Sequence, residues 1–175
     1  GERQDPSLSQ NYFLIVSRLV PYKRIDIAVE AFNKLGWPVV VVGAGSEEGR
    51  LRQLARPNIK FVGEVAEKQL TTYYQNCRAL IFPQEEDFGI VAVEAQGAGK
   101  PVIAYKKGGA LETVVAGKTG IFFDKQTPES LMRAIKNFTP PKFNPAEGVK
   151  NAKRFSKKKF FREFAKLIDS VVVHQ

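Results

Sequence analysis

The sequence predicts an α/β fold: a doubly wound parallel sheet of about six strands, helices on both faces, and closing helices at the carboxyl end. Three observations predict it. Short apolar runs rich in β-branched residues recur along the chain, helical patterns alternate with them one for one, and glycine or proline punctuates the joins. The runs are apolar throughout instead of alternating with polar residues, the pattern of parallel strands buried on both faces.

The first strand is expected at about 11–17, on Tyr12-Phe13-Leu14-Ile15-Val16, and a helix follows at 24–35. Val39 to Val42 carries the second strand, at 38–43, with a helix at 47–55. Ile59-Lys60-Phe61-Val62 marks the third, at 59–63, with a helix at 67–76; Ala79-Leu80-Ile81-Phe82-Pro83 marks the fourth, with a helix at 89–98. Val102-Ile103-Ala104 lies in the fifth, at 101–105, and a helix runs over 110–116; Ile121-Phe122-Phe123 ends the series at 120–123. Pro128 opens a helix that ends near Phe138, before Pro140-Pro141. Closing helices are expected at Pro145–Arg154 and Ser156–Val173, the latter with Phe160, Phe161, Phe164, Leu167, Ile168 and Val171 at core spacing. The whole is Rossmann-like. Residues 1–10 are polar and expected to fray, leaving one domain over 11–175.

Composition narrows the function classes. Of 175 residues, 43% are hydrophobic and 26% charged, which fits one soluble globular domain. The single cysteine, Cys77, excludes an intramolecular disulfide and fits a reducing compartment; at the end of a helical pattern it reads as a buried thiol. No apolar run reaches a membrane span and no signal-peptide core opens the chain, so a cytoplasmic location is expected. The net charge of +9 is local: residues 140–166 hold nine basic residues against Glu147 and Glu163. That run reads as a solvated face, with an anionic membrane surface or polyanion as the alternative, and no nucleic-acid partner is expected.

In an open α/β sheet, ligands bind beyond the carboxyl ends of the strands. Arg18 and Lys23 fall there after the first strand, beside a helix start whose dipole disfavours cations, and an anion between them would resolve the conflict. Arg offers a planar fork and Lys a point charge, a pair suited to a diphosphate, although two solvated cations would look the same. Gly43 and Gly45 follow the second strand without the spacing of a dinucleotide fingerprint, so they read as a tight turn approaching a ligand or a neighbouring strand. After the fourth strand come Glu86-Asp87-Phe88-Gly89-Ile90 and then Glu94 on an otherwise apolar helix. A carboxylate there is costly unless it meets a partner, such as the two hydroxyls of a ribose; a solvent-facing stripe is the plain alternative. Gly89 and Ile90 open that helix with N–H groups available for phosphate. Gly108-Gly109 makes another turn, and Glu112 beyond it suits the helix dipole with no ligand at all. His174 is the lone histidine, and no cysteine–histidine cluster or D-x-D pair exists to hold a metal.

Together these residues resemble the carboxyl-terminal, donor-binding half of the family four retaining glycosyltransferases of GT-B fold. The E-x7-E pattern of Glu86 and Glu94, the basic pair Arg18 and Lys23, Gly43-Ala44-Gly45-Ser46, Gly99-Lys100-Pro101-Val102-Ile103-Ala104 and Gly108-Gly109-Ala110-Leu111-Glu112 carry the resemblance. It implies that Glu86, Arg18 and Lys23 form the catalytic set, with Glu86 on a hydroxyl of the transferred sugar and the cations on the diphosphate. Glu94 would hold the ribose, and Phe88, Gly89 and Ile90 would offer N–H groups to the sugar and distal phosphate. Gly43 and Gly45 would border the donor, and Val62 and Gly63 would face the base. It implies a nucleoside diphosphate sugar as substrate, mannose from GDP-mannose foremost, and no cofactor or metal. An amino-terminal acceptor domain of the same polypeptide would be the partner, with a lipid-linked acceptor at the membrane as a further one; this piece alone would be inactive. A UDP-sugar transferase, a GT-B epimerase, or a non-catalytic nucleotide or polyanion-binding module remain open alternatives.

Overall fold

The computed structural model describes residues 11–156. The segment expected to fray at 1–10, and the last closing helix beyond Ser156, lie outside the described residues. Within them six strands and seven α-helices alternate in the expected order: β1 Phe13–Val16, α1 Ile25–Leu35, β2 Val39–Val42, α2 Glu48–Leu54, β3 Ile59–Gly63, α3 Glu67–Asn76, β4 Leu80–Phe82, α4 Ile90–Gly97, β5 Val102–Tyr105, α5 Ala110–Thr113, β6 Gly120–Phe123, α6 Pro128–Asn137 and α7 Pro145–Lys153.

All pairings are parallel, in the order β3-β2-β1-β4-β5-β6. The chain works outward from β1 to β3, returns to the centre, and continues through β4 to β6, so the switch point falls between β1 and β4. Alternate strand residues feed two cores. Phe13, Ile15, Val39, Val41, Ile81 and Ile103 pack under α1, α2 and α6, with Ala28, Phe32, Leu51 and Leu131 facing them. Leu14, Val40, Leu80, Phe82, Val102 and Ala104 pack under α3, α4 and α5, with Tyr74, Ala92, Ala95 and Ala110 facing them. Burial on both faces is the physical reason the strands are apolar without alternation.

Two boundaries differ from expectation. Helix α5 stops at Thr113, not near 116, because Val114 is extended and Val115 turns onto Thr119, whose Oγ1 accepts from the Val115 N–H at 2.9 Å. Helix α1 starts at Ile25 with Arg24 in the left-handed region at φ 54°, after a 3-10 turn at Pro21–Lys23. The remaining ends shift by a residue or two, with side-chain caps from Thr127 for α6 and Asn144 for α7. Among the described residues no helix is long and apolar enough to cross a membrane.

Candidate functional site

At the carboxyl edge of the sheet, over the switch point, the loops after β1 and β4 enclose an open cleft of about 530 Å³. Its lining includes Arg18, Lys23, Glu86, Phe88, Gly89 and Ile90, six of the residues singled out in the sequence. Glycine packing fixes the loops. Gly43 and Gly45 lie against the backbone of Ser17 and Leu19, so close that a side chain on either would collide with those carbonyls. Backbone bonds zip the strand ends together there: Ser17 N–H to Val42 O at 3.0 Å, Leu19 N–H to Ala44 O at 2.9 Å and Glu47 N–H to Leu19 O at 2.8 Å. These glycines therefore approach a neighbouring strand, and they hold the segment that carries Arg18. Gly108 and Gly109 do the same under the β4 loop, where a Cβ on Gly109 would stand 2.5 Å from the Phe88 backbone and the Gly109 N–H meets Glu86 O at 2.5 Å.

Lys23 does not await an anion alone. Its ammonium contacts the Glu86 carboxylate directly, both side chains being mostly buried. Burial, and after it the Arg18 guanidinium, lower the Lys23 pKa from its ordinary value, while the touching carboxylate works against that shift. Gln84, buried at 2% exposure, donates from Nε2 toward Glu86 Oε1 at 3.4 Å, and its own Oε1 has no hydrogen-bond partner. Arg18 is exposed, as are Tyr22 and Ile90 on the rim.

Gly89 caps α4 at φ 79°, a left-handed residue that opens the helix just before Ile90. The Ile90 and Val91 N–H groups have no acceptor within the helix and stand at its positive end, at the cleft wall. The Phe88 ring packs edge-on against Phe155 at 5.6 Å between centroids, and the residue lines the cleft. A cation pair, a helix amino terminus and a carboxylate converge here, the chemistry of an anionic ligand that also carries hydroxyls.

Four expected residues other than Glu94 lie outside the cleft lining. Gly43 and Gly45 serve the loop packing just described; Val62 and Gly63 end β3, where the Gly63 carbonyl accepts from Gly43 N–H at 2.8 Å. Glu94 is one turn past Ile90 on the same helix face, exposed, and its Oε2 accepts from the Tyr74 hydroxyl at 2.7 Å. Tyr74 escaped the sequence reading because 20 residues separate the pair. A buried polar set also escaped it: Gln96 donates to Thr113 O at 2.8 Å, and Asn151 donates to Gln96 Oε1 at 2.6 Å and to Thr113 O at 2.8 Å. This joins α7 to α4 and α5 and steadies the helix that bears Glu94. Cys77 is buried as expected, and burial pushes its thiol up to about 12.

A parallel sheet of this order with a cleft at its switch point makes this a doubly wound α/β domain, whose ligands are expected beyond the carboxyl ends of the strands. Residues 2–158 match the model of the glycosyl transferases group 1, and the chain belongs to that family. It is 34% identical over 138 residues, 69% of the chain and 36% of the relative, to a GDP-mannose-dependent α-(1-6)-phosphatidylinositol monomannoside mannosyltransferase of Mycobacterium tuberculosis. Among solved structures, sucrose-phosphate synthase from Thermosynechococcus elongatus superposes with a TM-score of 0.81 at 24% identity, covering 94% of this chain and 46% of that one. Anabaena HepE in complex with UDP-glucose superposes with a TM-score of 0.72 at 26% identity, covering 91% and 48%. The chain spans less than half the length of these relatives.

Proposed function

We propose that the chain is the carboxyl-terminal, donor-binding half of a retaining hexosyltransferase, that its donor is a nucleoside diphosphate sugar, and that GDP-mannose is that donor. The observation that carries the reading is the convergence of Arg18, Lys23 and the α4 amino terminus on one cleft, with Glu86 inside it. As the glycosidic bond breaks, negative charge grows on the departing diphosphate, and preorganised cations and helix N–H groups lower that barrier without a divalent metal. An arriving diphosphate competes with Glu86 for Lys23. The displaced carboxylate then becomes available to a hydroxyl of the sugar. Glu94 takes the ribose hydroxyls, and Val62 and Gly63 border the base.

The name of the mycobacterial relative supports GDP-mannose. The UDP-glucose complex of HepE supports the second reading, a UDP-sugar transferase on the same site. The acceptor belongs to an amino-terminal domain of the full enzyme, whose docking side would be the rim marked by exposed Tyr22 and Ile90. The enzyme would work in the cytoplasm, with the basic run at 140–166 meeting an anionic membrane that bears a lipid-linked acceptor. Calorimetric titration with GDP, UDP, NAD and an RNA oligomer tests the donor reading. Binding of one nucleoside diphosphate well above NAD and RNA is expected; preference for RNA would replace it with a polyanion-binding module.

A further inference from the structure

We propose that Tyr74 is a positioning residue for the nucleotide: from α3 it holds the Glu94 carboxylate of α4 in the orientation that receives the ribose. The inference rests on the ribose role given to Glu94 above. The Tyr74 side chain is buried at 4% exposure, and its hydroxyl donates to Glu94 Oε2 at 2.7 Å. Its own backbone is anchored, since the Cys77 thiol donates to the Tyr74 carbonyl at 3.3 Å, and its ring belongs to the core shared with Ala92 and Ala95. The donor is therefore rigid and its acceptor is not, because Glu94 is an exposed glutamate whose rotamers are otherwise open.

Of the two carboxylate oxygens, Oε2 takes the phenol, and Oε1 remains as the acceptor for a ligand hydroxyl. A tether of this kind lowers the entropy lost when the ligand orders the side chain, so affinity gains without a new contact to ligand. Burial first, and then the Glu94 charge, raise the Tyr74 pKa, so the phenol keeps its proton and stays a donor across the accessible pH range. The partner choice also sets direction. A carboxylate that accepts from the protein on one oxygen presents the other to a donor, which suits a hydroxyl and repels phosphate.

The test compares GDP and UDP with their 2′,3′-dideoxy counterparts by calorimetry on the full chain, for wild type, Tyr74→Phe, Glu94→Ala and the double variant. Wild type is expected to favour the ribonucleotide by about tenfold or more, the size of one charged hydrogen bond. In Tyr74→Phe that preference should fall about fivefold while dideoxy affinity holds, and in Glu94→Ala it should vanish. Adding Tyr74→Phe to Glu94→Ala should change nothing further, because the two act as one unit. An undiminished preference in Tyr74→Phe overturns the positioning role and leaves Glu94 standing. A preference that survives Glu94→Ala, or its absence in wild type, overturns the ribose reading and this inference with it. Tyr74→Met, which fills the same space without a hydroxyl, must reproduce the phenylalanine result.

Discussion

Replacing Gly109 by alanine adds one methyl group beneath the loop that carries Glu86, Phe88 and Gly89. Gly109 already has ordinary helical backbone angles, φ −62° and ψ −20°, so alanine brings no torsional strain. The whole effect is steric: the new Cβ would stand 2.5 Å from the Phe88 Cα and carbonyl carbon, roughly an ångström inside normal contact. Backbone cannot rotate away as a side-chain tip can, so the β4–α4 loop must lift. Its bond from Gly109 N–H to Glu86 O lengthens with it. Overpacking of this kind costs about 1–3 kcal/mol, and for a domain of this size each kcal/mol lowers Tm by about 2–4 °C. Thermal unfolding followed by circular dichroism reads that loss, and calorimetry with a nucleoside diphosphate should show weaker binding because the N–H groups at Gly89 and Ile90 move. Gly49 is the control. It lies in α2 with nothing within 4 Å of an added methyl, so Gly49→Ala should stabilise by about 0.5–1 kcal/mol. Equal Tm values for Gly109→Ala and wild type would refute the packing described at the loop, and a destabilised Gly49→Ala would refute the distinction between the two sites.

Two further outcomes are expected. Asn151→Ala leaves Gln96 Oε1 without its donor in a buried setting and should destabilise by about 1–3 kcal/mol, with the Gln96→Leu, Asn151→Ala pair costing less than the sum in urea unfolding. Stability should also fall with pH around the thiol of Cys77. Its folded pKa of about 12 exceeds the ordinary 9.0, so the folded state binds more protons than the unfolded one between those values; the contribution is full below pH 9 and lost as pH rises. Between pH 9 and 10 the loss is about 1 kcal/mol, and Cys77→Ala should flatten that slope whatever its constant packing cost. An unchanged slope would mean that the thiol is not buried as described.

The fold was legible because burial on two faces leaves a plain mark. Runs such as Val39 to Val42 have no polar residue to orient, and the helices between them have the length of crossovers. The order of strands was not legible, since alternation of strand and helix is compatible with several orders and only pairing distinguishes them. At the site, residues on the loops next to strand ends were placed by sequence alone: Arg18, Lys23, Glu86 and Gly89 come together because topology brings every loop of one edge into range. What was missed lies between elements distant in sequence. Lys23 meets Glu86 across 63 positions and Glu94 meets Tyr74 across 20, pairings that no local pattern encodes. The glycines after β2 suit a turn near a ligand or a strand, and the structure shows the approach to a strand: a Cβ there would occupy the space of the Ser17 and Leu19 carbonyls. The end of α5 shows the same limit, since a threonine hydroxyl four residues on decides where the helix stops.

The anion site is the central claim, and the most direct measurement is calorimetric titration of the Arg18→Ala, Lys23→Ala pair with a nucleoside diphosphate and with the corresponding nucleoside. Removing both cations should weaken the diphosphate by about 2–4 kcal/mol and leave the nucleoside nearly unchanged. Equal losses for the two ligands, or none for the diphosphate, would contradict the assignment of these cations to phosphate.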